Sequence, residues 1–259
     1  MNKIALITGA TSGIGKATAT KLAEIGYNII ITGRRGDRLA ALEDELKAKG
    51  IKVLALQFDV RNKEEVHNAI SNLPTEWKNI DILVNNAGLA VGTSPIQDGI
   101  LDDWERMIDT NVRAVHILTK LAVRDFVQRG RGYILNVSSS AGFLPGPLMA
   151  TYYATKNYVL RLTEALREEL RRAGSPVRVC ALCPGPVDTE FNKVAGVRFS
   201  LSGLSAVRVA REAVDGLFAG KAVVVPGAAM KAMTLARHFA PDSILARITY
   251  HFQHKKGAK

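Results

Sequence analysis

Short runs of apolar, often β-branched residues alternate along this chain with longer stretches in which apolar positions recur every three or four residues. The short runs are Ile4–Thr8, Asn28–Thr32, Val53–Phe58, Ile82–Asn85, Tyr133–Ser138, Val177–Leu182 and Ala222–Val225. Most are continuously apolar, as strands covered on both faces must be. The stretches near 14–26, 36–49, 62–73, 102–128, 150–173 and 206–219 carry the helical period. Such strand–helix alternation predicts an α/β fold, a doubly wound parallel sheet of about seven strands with helices on both faces. Right-handed crossovers and a reversal of strand order open a crevice at the carboxyl ends of the strands. Chemistry is therefore expected in the segments that follow strands.

The first such segment is T-G-A-T-S-G-I-G, Thr8 to Gly15, between a strand and a helix. Gly9, Gly13 and Gly15 let the backbone turn tightly and approach a pyrophosphate, which sits at the positive end of the helix. The spacing is G-x-x-x-G-x-G, not the commoner G-x-G-x-x-G. At the end of the second strand, a site for NAD would carry a carboxylate to accept from the ribose hydroxyls. Here the strand ends I-T-G-R-R, with Arg34 and Arg35 and no acid. Two guanidiniums suit a 2′-phosphate, which arginine grips bidentately; the alternative is a pair of solvated charges in a turn. Asp59, after the third strand, either accepts from an adenine amino group or caps the helix that starts near Arg61.

A second constellation lies in the C-terminal half. Tyr152 and Lys156 stand four residues apart in T-Y-Y-A-T-K, on one face of a helix. Ser139 lies thirteen residues before Tyr152 in N-V-S-S-S-A-G. A cation beside a phenol favours the phenolate, so the tyrosine pKa is expected to fall from its ordinary value near 10. A nearby hydroxyl then orients a substrate oxygen, giving general acid/base chemistry without histidine or metal. Alone, such a pair would be surface packing.

Composition narrows the class further. With 259 residues, 47% apolar and 23% charged, the chain suits one large soluble domain. No Pro/Ser-rich linker divides it. Met1 runs straight into the strand-like Lys3–Ile7, leaving no room for a signal peptide, and no apolar run reaches membrane-spanning length. A cytoplasmic protein is expected. Cys180 and Cys183 form a C-x-x-C, but on a strand residues three apart point to opposite faces about 10 Å apart. That is too far for a disulfide, and no second cysteine pair completes a zinc site. Buried small residues are expected there, with no metal.

The net charge is +11, of which the segment from Lys231 onward supplies +5, through six Lys/Arg against Asp242 alone. No helix-turn-helix, zinc or aromatic-basic pattern accompanies it, which argues against nucleic acid as the partner.

The chain resembles the short-chain dehydrogenase/reductase family, in its branch of roughly 250 residues, over residues 3 to about 190. The resemblance rests on T-G-A-T-S-G-I-G at 8–15, N-N-A-G at 85–88, Asn111 in D-T-N-V, the serine pair 138–139, Y-A-T-K within 152–156, and P-G-P-V-D-T at 184–189. It implies a Rossmann-type fold, an NADP(H) cofactor and hydride transfer between an alcohol and a carbonyl. Tyr152 would be the general acid/base and Lys156 the group that lowers its pKa. Ser139 would orient the substrate oxygen, and Asn111, in a distorted helix, would hold a water that relays protons from Lys156. Thr11, Ser12 and Ile14 would join the glycines in holding the pyrophosphate. Arg34, Arg35, Asp59, Val60, Asn86, Ala87 and Gly88 would lie along the adenosine side. Pro184, Gly185, Val187 and Thr189 would meet the nicotinamide and pyrophosphate; Tyr152 and Lys156 would also touch the cofactor, Lys156 through the nicotinamide ribose hydroxyls.

The same resemblance implies a homodimer or homotetramer built through the helices at 102–128 and 150–173. A nucleotide sensor that had lost chemistry should lack the tyrosine or lysine, and an epimerase would need a longer C-terminal domain and another glycine spacing. The first 95 residues are similar to NADP-dependent 3-hydroxy acid and serine dehydrogenases. The last seventy look more like bacterial reductases of undefined specificity, and steroid and acyl-chain reductases of the family can carry such extensions, so a 3-hydroxy acid and a bulkier ketone both stay open. Residues 1–227 are expected to form the catalytic unit and 228–259 a basic helical extension of the same domain. That extension would cap the pocket, a neighbouring subunit or an anionic membrane. Substrate choice is expected to rest on Phe191–Ser205, which contains Lys193 and Arg198.

Overall fold

A computed structural model describes residues 3–191 and 203–257. Seven parallel strands form one sheet: β1 (Ile4–Ile7), β2 (Asn28–Gly33), β3 (Val53–Gln57), β4 (Ile82–Asn85), β5 (Tyr133–Val137), β6 (Arg178–Leu182) and β9 (Val223–Val224). Their order is β3-β2-β1-β4-β5-β6-β9, so the winding reverses between β1 and β4. That is the doubly wound arrangement with its crevice at the switch point. Each expected strand is present, with no end displaced by more than one residue.

Alternate residues of each strand feed two separate cores. Ala5, Ile7, Ile29, Ile31, Val84 and Leu135 pack under α1 (Gly13–Glu24), α2 (Gly36–Lys47) and α7 (Ala206–Phe218). Ile4, Leu6, Ile30, Leu83 and Ile134 pack on the other face, under α3 (Lys63–Ser71), α5 (Ala114–Arg129) and α6 (Ala150–Arg172). The continuous apolar runs thus supply both faces. Cys180 belongs to the first core and Cys183 to a small separate cluster; both are free thiols, pushed up to about 12 chiefly by burial.

One polar chain crosses the interior. Asn85 and Asn136 are register partners on β4 and β5. The Asn85 Nδ2 donates to Asn136 Oδ1 at 2.8 Å and to Thr119 Oγ1 at 3.0 Å, and Asn136 Nδ2 donates to Thr163 Oγ1 at 3.0 Å.

The single helix expected over 102–128 is divided. The segment α4 (Leu101–Ile108) runs into a wide π turn at Asp109–Arg113 before α5 resumes. A small sheet absent from the sequence reading pairs β7 (Val187–Asp188) with β8 (Leu204–Ser205). Beyond β9, α8 (Ala228–Ala236) and α9 (Asp242–Gly257) are separated at Pro241, where the ring cannot continue a helix. Among the described residues, no helix is long and apolar enough to cross a membrane.

Candidate active site

The segment after β5 presses against the start of α6. A Cβ on Gly142 would come within 2.8 Å of the Lys156 carbonyl, so only glycine permits this approach. Ser138 Oγ donates to that same carbonyl at 2.7 Å. The two serines therefore divide their work: Ser138 is buried and fastens the helix, while Ser139 Oγ accepts from Ala141 N at 3.1 Å and stands beside the Tyr152 hydroxyl. The Tyr153 hydroxyl instead accepts from Gln253 Nε2 of α9 at 2.6 Å.

Lys156 is buried; its Nζ donates to the Val137 carbonyl at 3.0 Å and lies 5.9 Å from the centre of the Tyr152 ring. Asn111 occupies the middle of the π turn, fully enclosed. Its Nδ2 donates to the Leu89 carbonyl at 2.7 Å and to Thr155 Oγ1 at 3.0 Å, while its Oδ1 accepts from Leu89 N at 2.8 Å. Gly88 sits between the two groups: a Cβ there would lie 3.4 Å from Lys156 Nζ and 3.6 Å from Asn111 Oδ1. Thr155, which sequence reasoning missed, thus anchors Asn111 to α6.

The titration of the pair differs from expectation. Burial pushes the Tyr152 phenol up to about 12; the hydrogen bond with Ser139 opposes this and neighbouring Tyr153 adds to it. Burial also pulls the Lys156 ammonium down to about 8, against a small opposing influence of Cys183. The cation does not lower the phenol here because it is turned to the Val137 carbonyl, and loss of solvent outweighs attraction across that distance. At neutral pH both groups keep their protons.

At the switch point, the glycine turn is built by contact. Gly9 (φ +62°) and Gly13 (φ +54°) adopt left-handed backbone that other residues resist. A Cβ on Gly9 would reach within 2.8 Å of the Ala87 Cα, and one on Gly15 would collide with Asn86 Nδ2 and the Gly9 carbonyl. Asn86 Nδ2 donates to the Thr8 and Gly9 carbonyls at 2.9 and 3.0 Å, and Thr8 Oγ1 accepts from the N–H groups of Asn86 and Ala87. Asn86 and Ala87 therefore brace the turn. The Ser12 side chain does not cap α1, and Ile14 in the first turn packs against the core. An uncapped first turn leaves N–H donors for an anion.

Arg35 Nη2 donates to Thr11 Oγ1 at 2.8 Å and reaches Ser12 Oγ at 3.5 Å. Arg34 is more exposed and lies 3.9 Å from Asp59. Asp59 neither caps α3 nor stands free for adenine: Asn62 is the cap, and Arg61 grips both Asp59 oxygens at 2.6–3.1 Å. Burial raises the Asp59 carboxyl, but the hydrogen bonds and charge of Arg61 outweigh it and leave the group below its usual range. The Val60 side chain is buried in the second core.

Past β6, the Pro184 carbonyl accepts from Ser140 N at 2.8 Å, and Val187 is buried in β7. A Cβ on Gly13 would meet the Thr189 methyl at 3.0 Å, and one on Gly185 would meet Met230 of α8 at 2.7 Å. The C-terminal helices thus close over this edge. Arg237 stacks on Phe143, and Thr249 Oγ1 donates to the Pro145 carbonyl at 2.8 Å. A cleft beside Tyr152 is lined by Val91, Ser94, Ile96, Trp104, Met107 and Met149. The Phe191 ring lies 6.1 Å from that of Tyr152; most of the expected specificity segment, with Lys193 and Arg198, falls outside the described residues.

Comparison with known proteins agrees with this architecture. The family model described as short chain dehydrogenase matches residues 3–197. The NADP-dependent 3-hydroxy acid dehydrogenase YdfG of Salmonella typhi is 44% identical over 192 residues, covering 74% of this chain and 75% of that protein. Among solved structures, a short-chain dehydrogenase from Sphingobium yanoikuyae in complex with NADPH superposes with a TM-score of 0.80 at 32% identity, covering 92% of this chain and 94% of that one. The closed form of serine dehydrogenase complexed with NADP+ gives a TM-score of 0.76 at 35% identity, covering 86% and 93%. The chain belongs to the short-chain dehydrogenase family, oxidoreductases acting on CH–OH groups.

Proposed function

We propose that this protein interconverts an alcohol and a carbonyl with NADP(H), using Tyr152 as the general acid/base. The observation that carries this reading is the placing of Tyr152 beside Ser139 at the crevice, with Lys156 Nζ 5.9 Å from the tyrosine ring and Asn111 across Gly88 behind it. The residues present suit the cofactor. Gly9 and Gly15 line a turn that a Cβ would obstruct, α1 begins uncapped, and guanidiniums gather beyond β2. Arg34 and Arg35 would hold a 2′-phosphate; Thr11, Ser12, Gly13, Ile14 and Gly15 would hold the pyrophosphate. Asp59, Val60, Asn86, Ala87 and Gly88 border the adenosine side, and Pro184, Gly185, Val187 and Thr189 the nicotinamide side.

When bound, the nicotinamide exchanges a hydride with the substrate carbon. Ser139 orients the substrate oxygen beside the phenol. With a pKa of about 12, Tyr152 keeps its proton at neutral pH, the form needed to protonate a developing alkoxide. Lys156 would hold the ribose hydroxyls, would lower the phenol pKa on turning from Val137 toward the cofactor, and would be reprotonated through a water held by Asn111.

Val91, Met107 and Met149 stand with Ser94 and Thr151 in the narrow cleft beside Tyr152, and a bulkier ketone is one reading of the substrate. The likeness to a 3-hydroxy acid dehydrogenase favours a second reading, in which a cation near the pocket holds a carboxylate. Specificity constants for 3-oxo acids and bulky ketones, each with NADPH and NADH, separate the two. We further propose a cytoplasmic homodimer or homotetramer assembled through the helices at 102–128 and 150–173. In this assembly residues 1–227 form the catalytic unit and 228–259 an extension of it.

Tyr152→Phe is expected to lose about 10²- to 10⁴-fold in turnover while NADPH fluorescence titration shows unchanged binding. Tyr153→Phe is expected to retain turnover. Wild-type turnover by Tyr152→Phe would refute the assignment.

A further inference from the structure

The guanidiniums beyond β2 are already occupied. Arg38, on the first turn of α2, places Nη1 2.6 Å from Glu190 Oε2, and Arg35 places Nη1 3.6 Å from the same oxygen. Arg35 simultaneously spans to Thr11 and Ser12 of the glycine turn. One carboxylate oxygen therefore sits against two cations at the edge of the crevice. Glu190 is brought there by the segment after β7, whose preceding residue Thr189 packs on Gly13. The hydrogen bond from Arg38, with the charges of Arg38 and Arg35, outweighs the small loss of solvent and holds the Glu190 carboxyl below its usual range, so it is ionised at neutral pH. Arg34, the other arginine expected to read the cofactor, faces Asp59 instead.

We propose that Glu190 is an internal stand-in for the cofactor's 2′-phosphate: it holds Arg35 and Arg38 as an anion site and must leave them when a 2′-phosphorylated nucleotide binds. The inference rests on the NADP(H) reading and extends it in two respects. Arg38 joins the 2′-phosphate reader, one helical turn beyond the adjacent arginine pair. Glu190 becomes a specificity determinant of opposite sign, competing with the phosphate and leaving nucleotides without it unaffected. The physical basis is that one pair of guanidiniums cannot give its best donors to two anions at once, while two anions side by side repel. Displacement also moves the residue that leads directly into the specificity segment, so cofactor recognition and the substrate side share a lever.

The test is calorimetric titration of the full-length protein, without cofactor, at low salt. The probes are 2′,5′-ADP, which carries the 2′-phosphate, and 5′-AMP, which lacks it. Exposed ion pairs of this kind contribute a factor of about 1.4 to 5 each. Glu190→Gln is therefore expected to bind 2′,5′-ADP about 2- to 20-fold more tightly, with 5′-AMP affinity unchanged. Arg38→Gln is expected to weaken 2′,5′-ADP, and in the Arg38→Gln background Glu190→Gln should give a smaller gain. Coincident thermal unfolding curves establish that the variants are folded. If wild type prefers 2′,5′-ADP but Glu190→Gln leaves its affinity unchanged or weaker, the stand-in is overturned and the NADP(H) reading survives. If wild type binds both nucleotides alike, both readings fall together.

Discussion

Burying an ammonium at the heart of a site exacts a stability cost, and Lys156→Met measures it. The Lys156 pKa stands at about 8, against an ordinary value of 10.5, because burial disfavours the charge. At 1.36 kcal/mol per pKa unit, the charge destabilises the folded chain by about 3 kcal/mol at neutral pH. Methionine fills similar volume with an apolar, flexible side chain. The Val137 carbonyl loses its 3.0 Å donor, which costs about 1 kcal/mol or somewhat more. The net expectation is a gain of about 1–2 kcal/mol at pH 7. For a chain of this size that raises Tm by about 2–8 °C, while turnover collapses.

The pH dependence makes this prediction specific. Below about pH 8 lysine is protonated both folded and unfolded, and wild type bears the full cost. Between about 8 and 10.5 the unfolded chain binds more protons than the folded one, so wild-type stability rises with pH relative to the variant. Above 10.5 both states are neutral and the advantage of methionine disappears. Urea unfolding of both proteins, without cofactor, at pH 7 and pH 10.5 reads the difference directly. A variant less stable at pH 7, or a difference that does not change with pH, would refute the reasoning.

Other perturbations test the frame around the pair. Gly15→Ala must push apart Asn86 and the Gly9 carbonyl; a loss of about 1–3 kcal/mol in urea unfolding is expected, with nucleotide binding abolished in titrations. Truncation to residues 1–227 removes Gln253 from Tyr153, Thr249 from Pro145 and Met230 from Gly185. Substrate KM is expected to rise more than kcat falls. Full-length and truncated proteins are expected to co-sediment equally with anionic liposomes; tail-dependent pelleting would show a membrane role instead.

The sheet was readable from sequence because each strand is apolar on both faces, so the pattern needs no knowledge of neighbours. Ile4, Leu6 and Ile30 feed one core, Ala5, Ile7 and Ile31 the other, and only a buried parallel strand demands both. The π turn was not readable. A fault of one residue within Leu101–Arg129 leaves the apolar period almost intact on either side. Four-residue spacing brought Tyr152 and Lys156 to one helix face but could not give the direction of the Tyr152 pKa. That depends on how much protein surrounds the hydroxyl and on the Val137 carbonyl nineteen residues upstream of the lysine. The adjacent Arg34 and Arg35 were conspicuous, whereas Arg38 and Glu190 are joined only by folding, 152 residues apart. Asp59 read as either an adenine acceptor or a cap because its partner, Arg61, follows two residues later with no periodic signature.

The interior amides serve as a ruler for the site. Asn85 and Asn136 face each other across β4 and β5, and each ends a hydrogen-bonded chain reaching Thr119 or Thr163. Sliding β5 by one residue would bring Leu135 or Val137 opposite Asn85 and turn the Asn136 amide to the other face of the sheet. Buried amides stripped of partners cost about 1–3 kcal/mol each, so the misaligned sheet is penalised from within. Gly88 lies three residues beyond Asn85, and Ser139 three beyond Asn136. The alignment that pairs two hidden amides is thus the alignment that sets the gap between the site's two principal loops, and errors in assembly are rejected where no solvent can rescue them.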